Sequence, residues 1–306
     1  MVKFIKKVLL FFVLIAIIDI ACGFGFNYLR SHAKGGDTKK NYYISEQCCD
    51  DILILGSSRA ARHYNSQVLE DSLGMSCYNC GEPGCGIITA YARYGMITNR
   101  HKPKLVIYEV SPLYDYFKSD DYLKYLGRVR QCAYQHSVRR LFGDLGDNLE
   151  GIRLISNMYR NNGYILQNVL DNVVEDETDK GFKPLYGVLK SEKRKRPPLP
   201  PFTEQVIDSL KLSFIEEMII VSQHNNTKLM FMASPQYCNL NESKELEKEY
   251  DEIIKLCNLH QVPFVNHTYI EGISDDYRLF QDYKHLNQKG ATIYTQIVCD
   301  EIKDYL

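Results

Sequence analysis

Residues 51–60 read Asp-Ile-Leu-Ile-Leu-Gly-Ser-Ser-Arg-Ala. The unbroken aliphatic run Ile52–Leu55 does not alternate between apolar and polar, so it predicts a strand buried on both faces, as in a parallel sheet. Gly56 allows a sharp turn, and Ala60–Leu73 then has helical spacing. Downstream the same alternation recurs. Ser76–Asn79 reads as a short strand before a Gly-rich turn, Ile87–Asn99 as a helix, and Lys104–Val110 as a third strand stopped by Ser111-Pro112. Past residue 113 the pattern breaks. Residues 119–175 carry helical periodicity rich in Tyr, Arg and Asp, and residues 176–203 turn polar, basic and Pro-rich, which predicts a surface loop containing the solvated run Lys193–Arg196. The alternation resumes with a helix over Glu204–His224, a strand over Lys228–Ala233, a helix over Glu242–His260, a strand over Pro263–Asn266 and a last helix over Gly290–Tyr305. Together these elements predict a three-layer α/β/α, doubly wound parallel sheet of the flavodoxin-like kind, one domain over 51–306 with a helical insertion at 113–203.

Composition narrows the function. The 306 residues are 45% hydrophobic and 25% charged, which is globular and neither collagenous nor disordered. With 37 basic and 38 acidic residues, no overall field draws nucleic acid. Of ten cysteines, Cys22 lies in an apolar stretch, and the nine left cannot all pair within one chain. Cys77-x-x-Cys80 with Cys85 gathers thiols near a Gly-rich turn, but no second Cys-x-x-Cys or His pair stands nearby, although Cys48-Cys49 is a further source of thiol. Structural thiols are the expectation, with no metal and no cofactor.

At the N-terminus Lys3, Lys6 and Lys7 precede an apolar run, Val8–Phe26, whose one charge is Asp19. As a helix the run is about 28 Å long, near the roughly 30 Å hydrocarbon core of a bilayer. Residues 1–30 therefore read as an uncleaved signal anchor and 31–50 as a polar tether, with the body outside the cytoplasm. Ala21-Cys22 matches only part of a lipoprotein cleavage box. A carboxylate near the middle of a spanning helix costs roughly 2.5–3.5 kcal/mol on insertion scales. Two readings of Asp19 stay open: snorkelling or protonation, and contact with another membrane protein.

Two segments carry chemistry. Ser58 follows Gly56-Ser57 at the predicted start of a helix, where a hydroxyl and free backbone N–H groups can sit together. Asp282-Tyr-Lys-His285 precedes the last helix, and an Asp three residues ahead of a His can orient its imidazole. Each alone is a common surface feature.

In order, separation and flanking elements the pair resembles the SGNH, or GDSL-type, hydrolase superfamily. The match covers about twenty motif residues, while the implied architecture spans 50–306. The resemblance implies acyl transfer with Ser58 as nucleophile, His285 as base and Asp282 as orienting acid. It implies an oxyanion hole from Ser58, Gly81 and Ser111, with Gly84 and Gly86 as substitutes for Gly81. Arg59, Arg62 and Asn79 stand where they could bind substrate. The sequence departs from the family at Ser57, where Asp is usual, and at Glu109-Val-Ser111-Pro112, where an Asn is expected after the third strand.

Gly-Ser-Ser-Arg behind one N-terminal helix is also similar to membrane-anchored SGNH-like proteins that assist membrane-bound O-acyltransferases. That likeness implies an acyl-ester, carbohydrate-directed role at the cell surface, with the insertion forming the acceptor groove and no nucleic-acid partner. The alternative is a catalytically weak or inactive subunit for binding or assembly, which the missing Asn supports.

Overall fold

The computed structural model describes residues 1–118, 122–146, 149–175, 180–190 and 205–306. The five expected strands are β1 (Ile52–Gly56), β2 (Cys77–Asn79), β3 (Leu105–Glu109), β4 (Lys228–Ala233) and β5 (Phe264–Asn266). They form one parallel sheet in the order β2-β1-β3-β4-β5. Every residue of β1 and β3 is buried, Tyr108 and Glu109 of β3 included, as strands covered by helices on both faces require. The chain leaves β1 to one side to form β2 and returns on the other side as β3. The reversal puts a switch point at the paired C-terminal ends Gly56 and Glu109, where doubly wound sheets open a crevice.

Helix boundaries differ from expectation for local reasons. The helix expected over 60–73 is two, Ser58–His63 and Ser66–Leu73. Asn65 caps the second through its side-chain oxygen, and Gly74 ends it in the left-handed region. The helix expected over 242–260 begins earlier, at a capping box on Asn239 and Glu242, and is interrupted at Lys248–Tyr250. The Ser209–His224 and Gln288–Tyr305 helices agree with expectation within a few residues. The basic run at 193–196 lies outside the described residues.

The chain divides into two compact units, Met1–Gln47 with Leu126–Glu177, and Cys48–Tyr125 with Thr178–Leu306. The second is the α/β unit. The first corrects the expected division of the chain. Residues 31–50 are not a loose tether: Gly36–Tyr42 is helical and Thr38, Lys40, Ile44 and Ser45 are buried. Polar sequence concealed this, because the partners that satisfy it come from the insertion. Asp171 accepts the N–H of Thr38 at 2.9 Å through its carboxylate and that of Lys34 at 2.8 Å through its carbonyl.

The helix Val2–Ser31 is long and apolar enough to cross a membrane. Asp19 makes contacts that neither sequence reading anticipates. Its carboxylate accepts from Ser156 Oγ (2.6 Å), Asn157 N (2.8 Å), Asn157 Nδ2 (3.0 Å) and Met158 N (2.9 Å), capping the short helix Asn157–Asn161. The Asp19 partner is this chain's own insertion.

Candidate active site

Gly56 ends β1 at φ +129°, and a Cβ there would lie 2.4 Å from the Glu109 carbonyl oxygen, so only glycine makes this turn. The turn delivers Ser58 to the first turn of the next helix. On the opposite side, the segment before the last helix is fixed by Asn287, whose side chain accepts from Gly290 N and donates to the carbonyls of Gly187 and Arg278. Ser58 Oγ lies 2.8 Å from His285 Nε2, and His285 Nδ1 lies 2.9 and 3.0 Å from the two Asp282 oxygens. With Nδ1 facing a carboxylate, the ring proton sits there and Nε2 accepts from the Ser58 hydroxyl. Burial pushes the Asp282 carboxyl up, but the His285 ring and the N–H groups of Lys284 and His285 outweigh it and hold the group below the usual carboxylate range.

Behind this line lies a buried polar chain that the sequence did not reveal. The N–H of Leu286 donates to His63 Nε2 at 3.0 Å, so His63 carries its proton on Nδ1 and donates to Ser234 Oγ at 2.8 Å. Ser234 Oγ in turn donates to Glu109 Oε1 at 2.8 Å. Burial, with help from His285, Arg59 and Arg62, keeps His63 well below its ordinary pKa and therefore neutral. Glu109 also accepts the Tyr64 hydroxyl at 2.5 Å and pairs with Arg59 at 3.0 Å. In sequence Arg59 sits in a first helical turn, and His63, at the end of the same helix, carries no motif. Only the fold brings Glu109 beneath them.

The remaining expected residues fall elsewhere than proposed. Arg59 lines the pocket, but its guanidinium is buried and committed to Glu109, Ser234 O, Val110 O and Tyr250. It braces the site instead of offering charge to a substrate. Asn79 is wholly buried, donating to the carbonyls of Ala60 and Tyr64 and accepting from Gly81 N at 3.0 Å. The Gly81 N–H, expected in the oxyanion hole, is thus held by Asn79, and a Cβ at Gly81 would strike Ala61 N at 2.5 Å. The Ser111 N–H donates to Asp115 Oδ2 at 2.5 Å. Arg62 is half-buried, and Asp282 acts on it electrostatically.

A cavity of about 240 Å³ opens beside Ser58 and His285. Its walls include Ser111, Leu113, Tyr114, Gln236, Tyr250 and Lys284. Leu113, Tyr114, Gln236 and Tyr250 were marked by no motif, since the segments after β3 and β4 and before the Asp251–His260 helix meet here only in the fold. Cys77, Cys80 and Cys85 are buried thiols, and among the described residues no group of three His, Cys, Asp or Glu side chains is placed to hold a metal.

Asp115 supplies a test of this wall. Burial raises its carboxyl to about 7, against the bonds from Ser111 and Tyr108 that lower it. A raised carboxyl pKa means the folded state holds the proton more tightly than the unfolded chain. Stability from this group therefore falls as pH rises from about 4 to about 7. Asp115→Asn is expected to remove that slope, read as urea midpoints at about pH 5 and about pH 8 differing less than in wild type.

No known family model matches this sequence, and no curated protein does. Solved structures similar in fold include a protein from Streptococcus pneumoniae assigned as a platelet activating factor, at 11% identity over 92% of this chain and 98% of that one, TM-score 0.44. Others are a protein assigned to the lipolytic G-D-S-L family from Desulfitobacterium hafniense (10% identity, 82% and 98% covered, TM-score 0.39) and a family two carbohydrate esterase from Clostridium thermocellum (8%, 84% and 64%, 0.39). Likenesses of this size concern the course of the chain and leave chemistry to the atoms of the site.

Proposed function

We propose that this chain is a membrane-anchored SGNH-type serine esterase or acyl-transfer component, acting on acyl esters, acetyl first among them, of carbohydrate outside the cytoplasm. The observation that carries the reading is the Ser58–His285–Asp282 line at hydrogen-bond distances beside an open cavity. Ser58 Oγ attacks the ester carbonyl as its proton passes to His285 Nε2, and the carbonyl electrons move onto oxygen. Collapse expels the alcohol, which takes the proton from His285, and leaves an acyl-serine. Water or a sugar hydroxyl then repeats the steps in reverse and frees the serine. Asp282 stays ionised and stabilises the imidazolium. The Ser58 N–H, at a helix start without an intrahelical partner, supplies one oxyanion donor. The Val2–Ser31 helix serves as the anchor, and a membrane-bound O-acyltransferase is the partner the sequence resemblance suggests. The site calls for no cofactor and no nucleic acid.

A second reading, a catalytically weak binding or assembly subunit, is favoured by the committed N–H groups of Gly81 and Ser111. Loss of one oxyanion donor lowers turnover by about 10²–10³. Hydrolysis of 4-nitrophenyl acetate by the full chain in detergent, with labelling by an active-serine probe, separates the two. Turnover with labelling supports the enzyme; a folded, inert protein supports the binding subunit. His63→Phe tests the line behind the site: it frees the Leu286 N–H and is expected to lower kcat by about 10²-fold with KM little changed.

A further inference from the structure

The compact unit formed by residues 1–47 and 126–177 contains a second cavity, of about 170 Å³, lined among others by Phe26, Asn27, Arg30, Tyr134, Arg160 and Asn161. Arg30 is 5% exposed, yet no described carboxylate lies within ion-pair distance of it. Its contacts are Ser45 Oγ at 3.2 Å, Cys132 Sγ at 3.5 Å and the faces of Tyr42 and Tyr134. Its Nε finds no acceptor, nor does the Nε of Arg160, and Asn161 Oδ1 finds no donor. The remaining Arg160 bonds go to the carbonyls of Leu154 and Ile155 and to Asn157 Oδ1. The nearby carboxylates are already engaged. Glu46 takes the Tyr134 hydroxyl and a Gln135 amide proton, and Asp19 takes its four donors at 156–158. Two guanidiniums beside one cavity, one of them buried, with Glu46 and Asp19 acting on them only from beyond ion-pair distance, form an expensive arrangement unless an anion enters.

Depth says which anion. Arg30 stands four residues beyond Phe26, about 6 Å past the apolar stretch, while the cavity also touches Gly23 and Phe26 at the end of that stretch, so it straddles the boundary between acyl chains and headgroups if the stretch crosses the bilayer. The same unit leaves Ile152, Ile155, Leu166 and Val173 each more than 60% exposed, an aliphatic surface suited to acyl chains. We propose that this cavity binds the phosphate of a phospholipid headgroup, held by Arg30 and Arg160, with Asn161 Oδ1 accepting from a headgroup hydroxyl or ammonium. Guanidinium forks match phosphate oxygens in pairs, which an ammonium cannot do. The site rests on the anchor reading given above.

The full-length chain, delipidated in mild detergent, is titrated with phosphatidylglycerol and with diacylglycerol of the same chains, and retained lipid is counted by native mass spectrometry. One phosphatidylglycerol per chain and no diacylglycerol is the expected result. Arg160 is half-exposed, so Arg160→Gln is expected to fold as wild type by thermal melting while weakening retention about tenfold, with Arg160→Lys keeping more of it. Equal retention of both lipids, or unchanged binding in Arg160→Gln, overturns the site. Displacement of the lipid by inorganic phosphate overturns the lipid source and assigns the cavity to a soluble phosphate. Flotation with neutral phosphatidylcholine vesicles is scored separately: a chain that floats but ignores the phosphate loses only this site, whereas one that fails to float loses the anchor as well.

Discussion

Ser58→Ala is expected to reduce ester hydrolysis by about 10⁴-fold or more and to abolish active-serine labelling. The size follows from what the hydroxyl does. In the proposed mechanism it is the atom that forms the acyl bond, and it already lies 2.8 Å from the base. Ser57 Oγ is buried without a partner, and among the described hydroxyls it is Ser58 Oγ that lies within hydrogen-bond distance of His285 Nε2. Methyl in place of hydroxymethyl leaves the helix start intact, so the variant should melt as wild type does. Turnover that survives this change would remove Ser58 from the chemistry and leave the binding-subunit reading.

Glu109→Gln is expected to produce the largest loss of stability, about 3–5 kcal/mol, read from the urea midpoint. Glu109 is wholly buried and gathers Arg59, Tyr64, Ser234 Oγ and Ser234 N. An amide there strands the Arg59 guanidinium in a low-dielectric interior and points its own N–H₂ at donors. Because the same network reaches Leu286 through His63, turnover should fall along with stability. Replacing both partners, Arg59→Met with Glu109→Leu, is expected to recover much of the stability but not the turnover. A single Glu109→Gln variant with wild-type melting would refute this account of the buried pair.

Sequence made the sheet legible because β1 and the start of β3, Leu105–Ile107, are aliphatic runs, and turn residues mark the strand ends. The Ser58 and Asp282–His285 segments were legible because their chemistry needs fixed short spacings. The oxyanion assignments were not. Whether Gly81 N–H is open depends on where the Asn79 side chain folds back, and spacing carries no such information. Arg59 misled for the same reason. Its charge suggests solvent or a substrate, and the carboxylate that buries it lies fifty residues away in sequence. The 31–50 segment reads as a linker because its polar groups are satisfied by residues beyond 120, a pairing that no local pattern records.

The hydrogen bonds at Asp19 also bear on how this protein should be handled. A recombinant form beginning at residue 31 would lack the acceptor for Ser156, Asn157 and Met158 and the carbonyl of Leu29 that receives Asn172. Shortening the chain for solubility would therefore leave a different molecule. Residues 156–172 set against the leading helix as against a template, and cleavage near Ala21-x-Gly23 would sever that template within a turn of Asp19.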